Sequence, residues 1–220
     1  MDMEKMDAET EARVKNILSE LQLEGWTVIM DATDEILAEV TKDGVTQALL
    51  QIGMSEENVT ETMSKLALTY ARSRAAELVG KRLLPDGTII DNPNAEWFIE
   101  QSTRDLLRGD VASAIEQGWS TSKLRDTLEN NYAFSEQRAE TIARTETAFA
   151  DSRGNMIAYK ESGVVSGKEW IMGSEHDVDD ECDDNEAAGV IGLDDEFPSG
   201  DTEAPAHPNC VCDVLPVLAE

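Results

Sequence analysis

This sequence is short of histidine, cysteine, aromatic side chains and positive charge, and each shortage closes off a class of function. Two histidines, His176 and His207, leave little material for a histidine-based catalytic triad. Three cysteines are an odd number, so they do not make a disulfide framework. Eighteen Lys and Arg against 46 Asp and Glu give a formal net charge of −28. So acidic a chain is a poor general binder of nucleic acid, whose phosphates need clustered cations, and of anionic membranes. It suits a basic protein surface or divalent cations instead. No run reaches the ~20 apolar residues that span a bilayer. The opening MDMEKMDAETEARVKNILSE is charged and has no signal-peptide core, which predicts a protein made and kept in a reducing cytoplasm. Gly-rich phosphate loops, G-x-S-x-G, C-x-x-C and H-E-x-x-H are all missing.

What is present reads mainly as helix. Aromatics make up 5% of the chain, and Ala, Leu, Ile and Val carry most of its apolar content. Val14, Ile17, Leu18 and Leu21 place a helix over residues 8–23. Ile36, Leu37, Val40, Val45, Ala48, Leu49 and Ile52 place a second over 31–54, weakened or kinked at Gly44 and ended by Gly53. Ser55 is a suitable N-cap for a third helix running through residue 83. LPDGTIIDNPN follows as a turn-rich connector, then a helix over 95–118 and a short one over 120–132. Ser135 caps the strongest helix, in which Ile142, Phe149 and Met156 recur every seven residues before Gly163 stops it. Glu140 and Arg144 form an i,i+4 pair on it in the favourable order.

From residue 164 the character changes. No Lys or Arg follows Lys168, while residues 169–220 hold 16 acidic ones. VVSGKEWIMG, VIGLDDEFPSG and NCVCDVLPVL each suit a short strand, and SEHDVDDECDDNEAAG reads as polar and irregular. The expected fold is therefore mainly α with a small C-terminal α+β unit: a helical N-terminal region, a long central helix, and short antiparallel strands with long acidic loops. Three short strands bury little, so the end unit must lean on the helices or be stapled.

Three constellations could carry chemistry. Cys182, His207, Cys210 and Cys212 bring all three cysteines and one histidine within 31 residues. Three thiolates and an imidazole are a tetrahedral zinc set, with His176 as a substitute ligand. The opposing reading is that Cys210 and Cys212 share one face of a strand and pack there, while His207-Pro208 shapes a turn. No cofactor is demanded by the sequence, and structural zinc is the one these residues suit. The acidic run Asp177, Asp179, Asp180, Glu181, Asp183 and Asp184 fails the EF-hand register, with Cys182 where Gly is needed and Ala188 where Glu is needed. Arg138, Glu140, Arg144 and Glu146 crowd one helix; they read as a salt-bridged surface or as a catalytic Arg and Glu of a nucleotide-cofactor transferase.

In order along the chain, RAETIARTET on a long helix, ESGVVSGKEW, an acidic stretch ending CDDN, FPSG and PAHPNCVC resemble the phage head morphogenesis domain. This is the minor head protein family named after the phage Mu F protein. The resemblance covers about residues 95–215. It implies residues 1–90 as an N-terminal helical region and 91–220 as the family domain, of which 164–220 is the acidic, strand-containing end unit. It implies a minor capsid protein of a tailed bacteriophage or prophage, present in few copies. Such a protein associates with the portal and other head proteins during assembly and DNA packaging or delivery, and catalyses no reaction. It would be made in the host bacterial cytoplasm and reside in the virion near the portal. The alternative class is an enzyme, a metal-dependent hydrolase or nucleotide-cofactor transferase. The family pattern departs here at Val211, where Arg is usual, and at Asn185, where a further Cys is often found.

Overall fold

The computed structural model describes residues 26–92, 94–95, 98–117, 123, 126–127, 130–174 and 181–219. Two compact units are present, one of residues 31–75 and 141–220, the other of 1–30 and 76–140. The expected helix over 8–23, the histidine His176 and the acids Asp177, Asp179 and Asp180 lie outside the described residues, as does most of the short helix expected over 120–132.

In chain order the elements begin with α1 (Trp26–Gln51), which starts five residues before the expected helix and runs unbroken through Gly44. Ser55 does not cap a long helix. Its backbone N–H and its hydroxyl both donate to the Asn58 side chain, at 2.9 and 3.0 Å, around a 3-10 turn of Glu56–Asn58. Thr60 is the true cap of α2 (Glu61–Leu78), its hydroxyl accepting from the Met63 N–H at 3.1 Å.

α2 stops before Gly80, not at residue 83, and the connector after it is a β-hairpin. Strands β1 (Lys81–Leu83) and β2 (Ile89–Asp91) pair antiparallel. Leu84 N–H donates to Thr88 O and Gly87 N–H to Leu84 O, while the Asp86 carboxylate accepts from Thr88 N–H. The Pro-Asp-Gly turn thus reverses the chain rather than merely connecting helices.

α3 (Ile99–Gln117) follows, with Leu107, Val111 and Ala112 buried. Arg138 ties down its first turns: the guanidinium donates to Thr103 Oγ1, Ser102 Oγ and Ala133 O at 2.8–2.9 Å. These bonds use the fixed fork of arginine, which lysine cannot reproduce.

α4 (Glu136–Ser162) is capped as the sequence indicates, Ser135 Oγ accepting from Arg138 N–H at 3.1 Å. In its unit it packs with α1 and α2 around Leu37, Ala38, Ala71 and Ala150. A second cluster joins Val45, Leu49, Met63, Met156 and Tyr159 to residues of the end unit.

The end unit is a three-stranded antiparallel sheet with β3 (Val165–Ile171) central, flanked by β4 (Ile191–Gly192) and β5 (Asp213–Leu218). β5 pairs from Val165 opposite Leu218 to Ile171 opposite Asp213. Trp170 and Phe197 meet edge to face at 5.1 Å between ring centres. One segment expected to be irregular is partly helical: α5 (Glu181–Ala187) turns Cys182 and Asn185 inward, three residues apart. The strand expected around NCVCDVLPVL begins only at Asp213, so Cys210 and Cys212 precede it.

Lys168 lies fully buried on the central strand. Its ammonium donates to Leu193 O and Thr202 O at 3.1 and 2.5 Å and stands 5.3 Å from the Phe197 ring centre. Burial holds its pKa below the usual lysine range. Lys168→Met should leave two carbonyls without their donor and cost about 1–3 kcal/mol. Urea denaturation should show the lowered midpoint, and an unchanged midpoint would remove this lysine from the account of the sheet. Among the described residues, no helix is long and apolar enough to cross a membrane.

Candidate metal centre

The four residues singled out in the sequence are brought together. Cys182 reaches the centre from the first turn of α5 and is fully buried. His207, Cys210 and Cys212 come from the run that leads into β5. Cys182 Sγ lies 3.6 Å from Cys210 Sγ and 3.5 Å from His207 Nε2. The three sulfurs all fall within 4.8 Å of one another.

Several local contacts hold this run in place. Cys210 N–H donates to His207 O at 3.2 Å, which closes a tight turn. Asn209, within it, has φ 60°, a left-handed conformation that asparagine tolerates better than most residues. Its N–H donates to Thr145 Oγ1 of α4 at 3.1 Å. Gly173, just past β3, lets the Val211 backbone pass against it: a Cβ there would collide with the Val211 carbonyl. Cys210 and Cys212 precede β5 and so do not share a strand face, but both pack against the buried cluster, and His207-Pro208 does lie in a turn.

The imidazole is oriented as a metal ligand requires. His207 Nδ1 sits 2.9 Å from Pro208 O. A carbonyl only accepts, so Nδ1 carries the proton and Nε2 presents its lone pair toward Cys182. The thiols are in a setting hostile to charge unless a cation is present. Burial, and then the neighbouring Cys210 and Cys212, push the Cys182 thiol well above the usual range; burial likewise raises Cys210. A divalent cation would invert that balance and favour thiolates.

Asn185 stands one turn of α5 beyond Cys182 and does a different job. It is buried, donates through Nδ2 to Ser199 Oγ at 2.9 Å and accepts from Ser199 N–H at 3.0 Å. The amide thereby fastens α5 to the loop after β4. Its polar atoms face Ser199, and it is His207 Nε2 that approaches Cys182.

The acids Glu181, Asp183 and Asp184 all lie in the first turn of α5. Arg144 and Glu146 do not form a joint site. Arg144 is exposed, whereas Glu146 is buried with both carboxylate oxygens held by Arg74, at 2.7 and 2.9 Å. Glu140 is exposed as well. Two further features have no local signature in the sequence. One is the Arg74–Glu146 pair. The other is a cleft of about 540 Å³ beside the cysteines, lined by residues that include Val40, Arg144, Thr145, Asp151 and Asn209.

Comparison with known proteins adds a family. A family model described as "Phage Mu protein F like protein" matches residues 105–215, half of the chain. An uncharacterized protein, YqbB, of Bacillus subtilis (strain 168) is 29% identical over 134 residues, covering 55% of this chain and 44% of that protein. The chain thus spans under half the length of this relative. No solved structure matches.

Proposed function

The chain belongs to the Phage Mu protein F like family, and from that membership we propose that it is a minor head protein of a tailed bacteriophage or prophage. In this role it associates with the portal protein and other head proteins during head assembly and DNA packaging or delivery. Residues 91–220 act as the head morphogenesis domain, and the region before it carries the docking face. The protein is made in the bacterial cytoplasm and ends in the virion near the portal.

The observation that carries this reading is the family match over residues 105–215. Two features support it. A net charge of −28 keeps the chain from adhering to packaged DNA and favours a basic protein surface. The first two helices also leave Ile36, Leu50, Leu66 and Leu68 exposed, apolar material for a partner to cover. The enzyme alternative finds no comparable support: the Glu146 carboxylate is committed to Arg74.

Co-expression with the portal and head proteins of the same phage should yield a complex that survives affinity capture and size-exclusion chromatography. Ile36→Asp with Leu50→Asp should weaken capture at least tenfold while leaving the circular dichroism spectrum unchanged. Absence of binding to every head component by the folded wild-type chain would refute the role.

A further inference from the structure

The geometry points to a structural zinc ion held by Cys182, His207, Cys210 and Cys212. Zinc binds thiolate at about 2.3 Å and imidazole nitrogen at about 2.0–2.1 Å in a tetrahedron. The edges of such a tetrahedron are about 3.8 Å between two sulfurs and about 3.6 Å between sulfur and nitrogen. Cys182 Sγ is 3.6 Å from Cys210 Sγ and 3.5 Å from His207 Nε2, both close to those edges. Cys212 lies within the same 4.8 Å group of three sulfurs, while His207 Nε2 approaches Cys182 and is not within that distance of all three, so its ring closes onto the ion as the fourth ligand. With Nδ1 donating to Pro208 O, the nitrogen that faces Cys182 is Nε2 with its lone pair free, as a metal ligand requires.

The donor set selects the metal and its role. Three soft thiolates and one imidazole favour zinc over calcium or magnesium, which take oxygen ligands. Four protein donors fill a tetrahedron and leave no position for water or substrate, so the ion is structural, not catalytic. Asn185 leaves the site complete, because His207 supplies the fourth donor. The ion joins α5 to the segment entering β5. Cys182 belongs to the buried cluster with Trp170, Phe197 and Val214, and Cys210 and Cys212 pack against it. A sheet this small gains from such a staple. Binding takes up zinc and releases the thiol protons, with no change in oxidation state.

The full chain, purified reduced from zinc-supplemented medium, should contain one zinc per molecule by inductively coupled plasma mass spectrometry. Removing the metal with a strong chelator should lower the thermal midpoint, and zinc should restore it. Replacing zinc by cobalt(II) should give thiolate-to-cobalt charge-transfer absorption and the intense visible bands of a tetrahedral site. Cys182→Ser and Cys210→Ser should lose the metal. His207→Asn should retain weakened cobalt binding with shifted bands, which separates ligand loss from unfolding. The cobalt titration uses the wild-type chain, so it decides the matter even if a cysteine variant does not fold. A folded, reduced wild-type chain that takes up neither metal overturns the proposal. So does a native Cys182–Cys210 disulfide, seen as the loss of two hydrogens in the intact mass, or an octahedral cobalt spectrum.

Discussion

Gly154→Ala should destabilise the protein by about 2–3 kcal/mol, the penalty of overpacking a tight contact. The direction is the informative part. In an exposed helix interior, Gly to Ala gains about 0.5–1 kcal/mol, because glycine has more backbone freedom to lose on folding. At 154 the new methyl would meet backbone that cannot swing aside: the Thr41 carbonyl, Val45 N at 2.8 Å and Gly44 Cα at 2.9 Å. A Cβ on Gly44 would in turn approach Asp151 O at 2.6 Å. The two glycines let α1 and α4 touch backbone to backbone. Prying them apart would loosen Leu37, Val45 and Leu49 on one helix and Ala150, Met156 and Ile157 on the other, all of them buried. Gly154→Val should be worse and leave little folded protein. Urea denaturation of the Ala variant checks this, and a midpoint equal to or above that of the wild type would mean that the helices do not cross so closely.

Glu146→Gln or Arg74→Met, made singly, should cost about 3–5 kcal/mol, because either change leaves a buried group without its counter-charge. Arg74 Nε and Nη2 grip the two oxygens of Glu146 at 2.7 and 2.9 Å, and both side chains are only 8% exposed. The guanidinium also stacks 4.6 Å from the Phe149 ring centre. Removing both charges together, as Arg74→Met with Glu146→Leu, should recover most of the loss, since an apolar pair of similar size often equals a buried ion pair. A double-mutant cycle on chemical denaturation therefore separates two accounts. Strong coupling, with the double variant close to wild type, supports the buried pair. Additive losses below about 1 kcal/mol each would mark it as a surface bridge.

Both features explain where the sequence was mute. Gly44 looked like a weak point in a helix because its benefit lies in Gly154, 110 residues on. Glu146 looked like one charge on a salt-bridged surface because Arg74, its partner, is 72 residues earlier. Local pattern served well where the cause is local: Ser135 caps α4, and VVSGKEWIMG and NCVCDVLPVL hold the strands β3 and β5. The hairpin strands Lys81–Leu83 and Ile89–Asp91 are three residues each, too short for alternation to register. α5 has almost no apolar residues, and its inward face rests on Cys182 and Asn185, so helical periodicity was invisible. The candidate metal set could be grouped by counting thiols and imidazoles. Which nitrogen of His207 faces the thiols depends on the Pro208 carbonyl, and the task of Asn185 depends on Ser199; both required the folded chain.

The proposed role makes this chain a component of a phage head. Its most direct test is quantitative mass spectrometry of heads purified from the phage or induced prophage that encodes it, with the portal as internal standard. The account predicts that the chain is found in mature heads in few copies, and that heads assembled after deletion of its coding sequence are defective or fail to deliver DNA. Heads that lack the protein and assemble and infect normally without it would contradict the account.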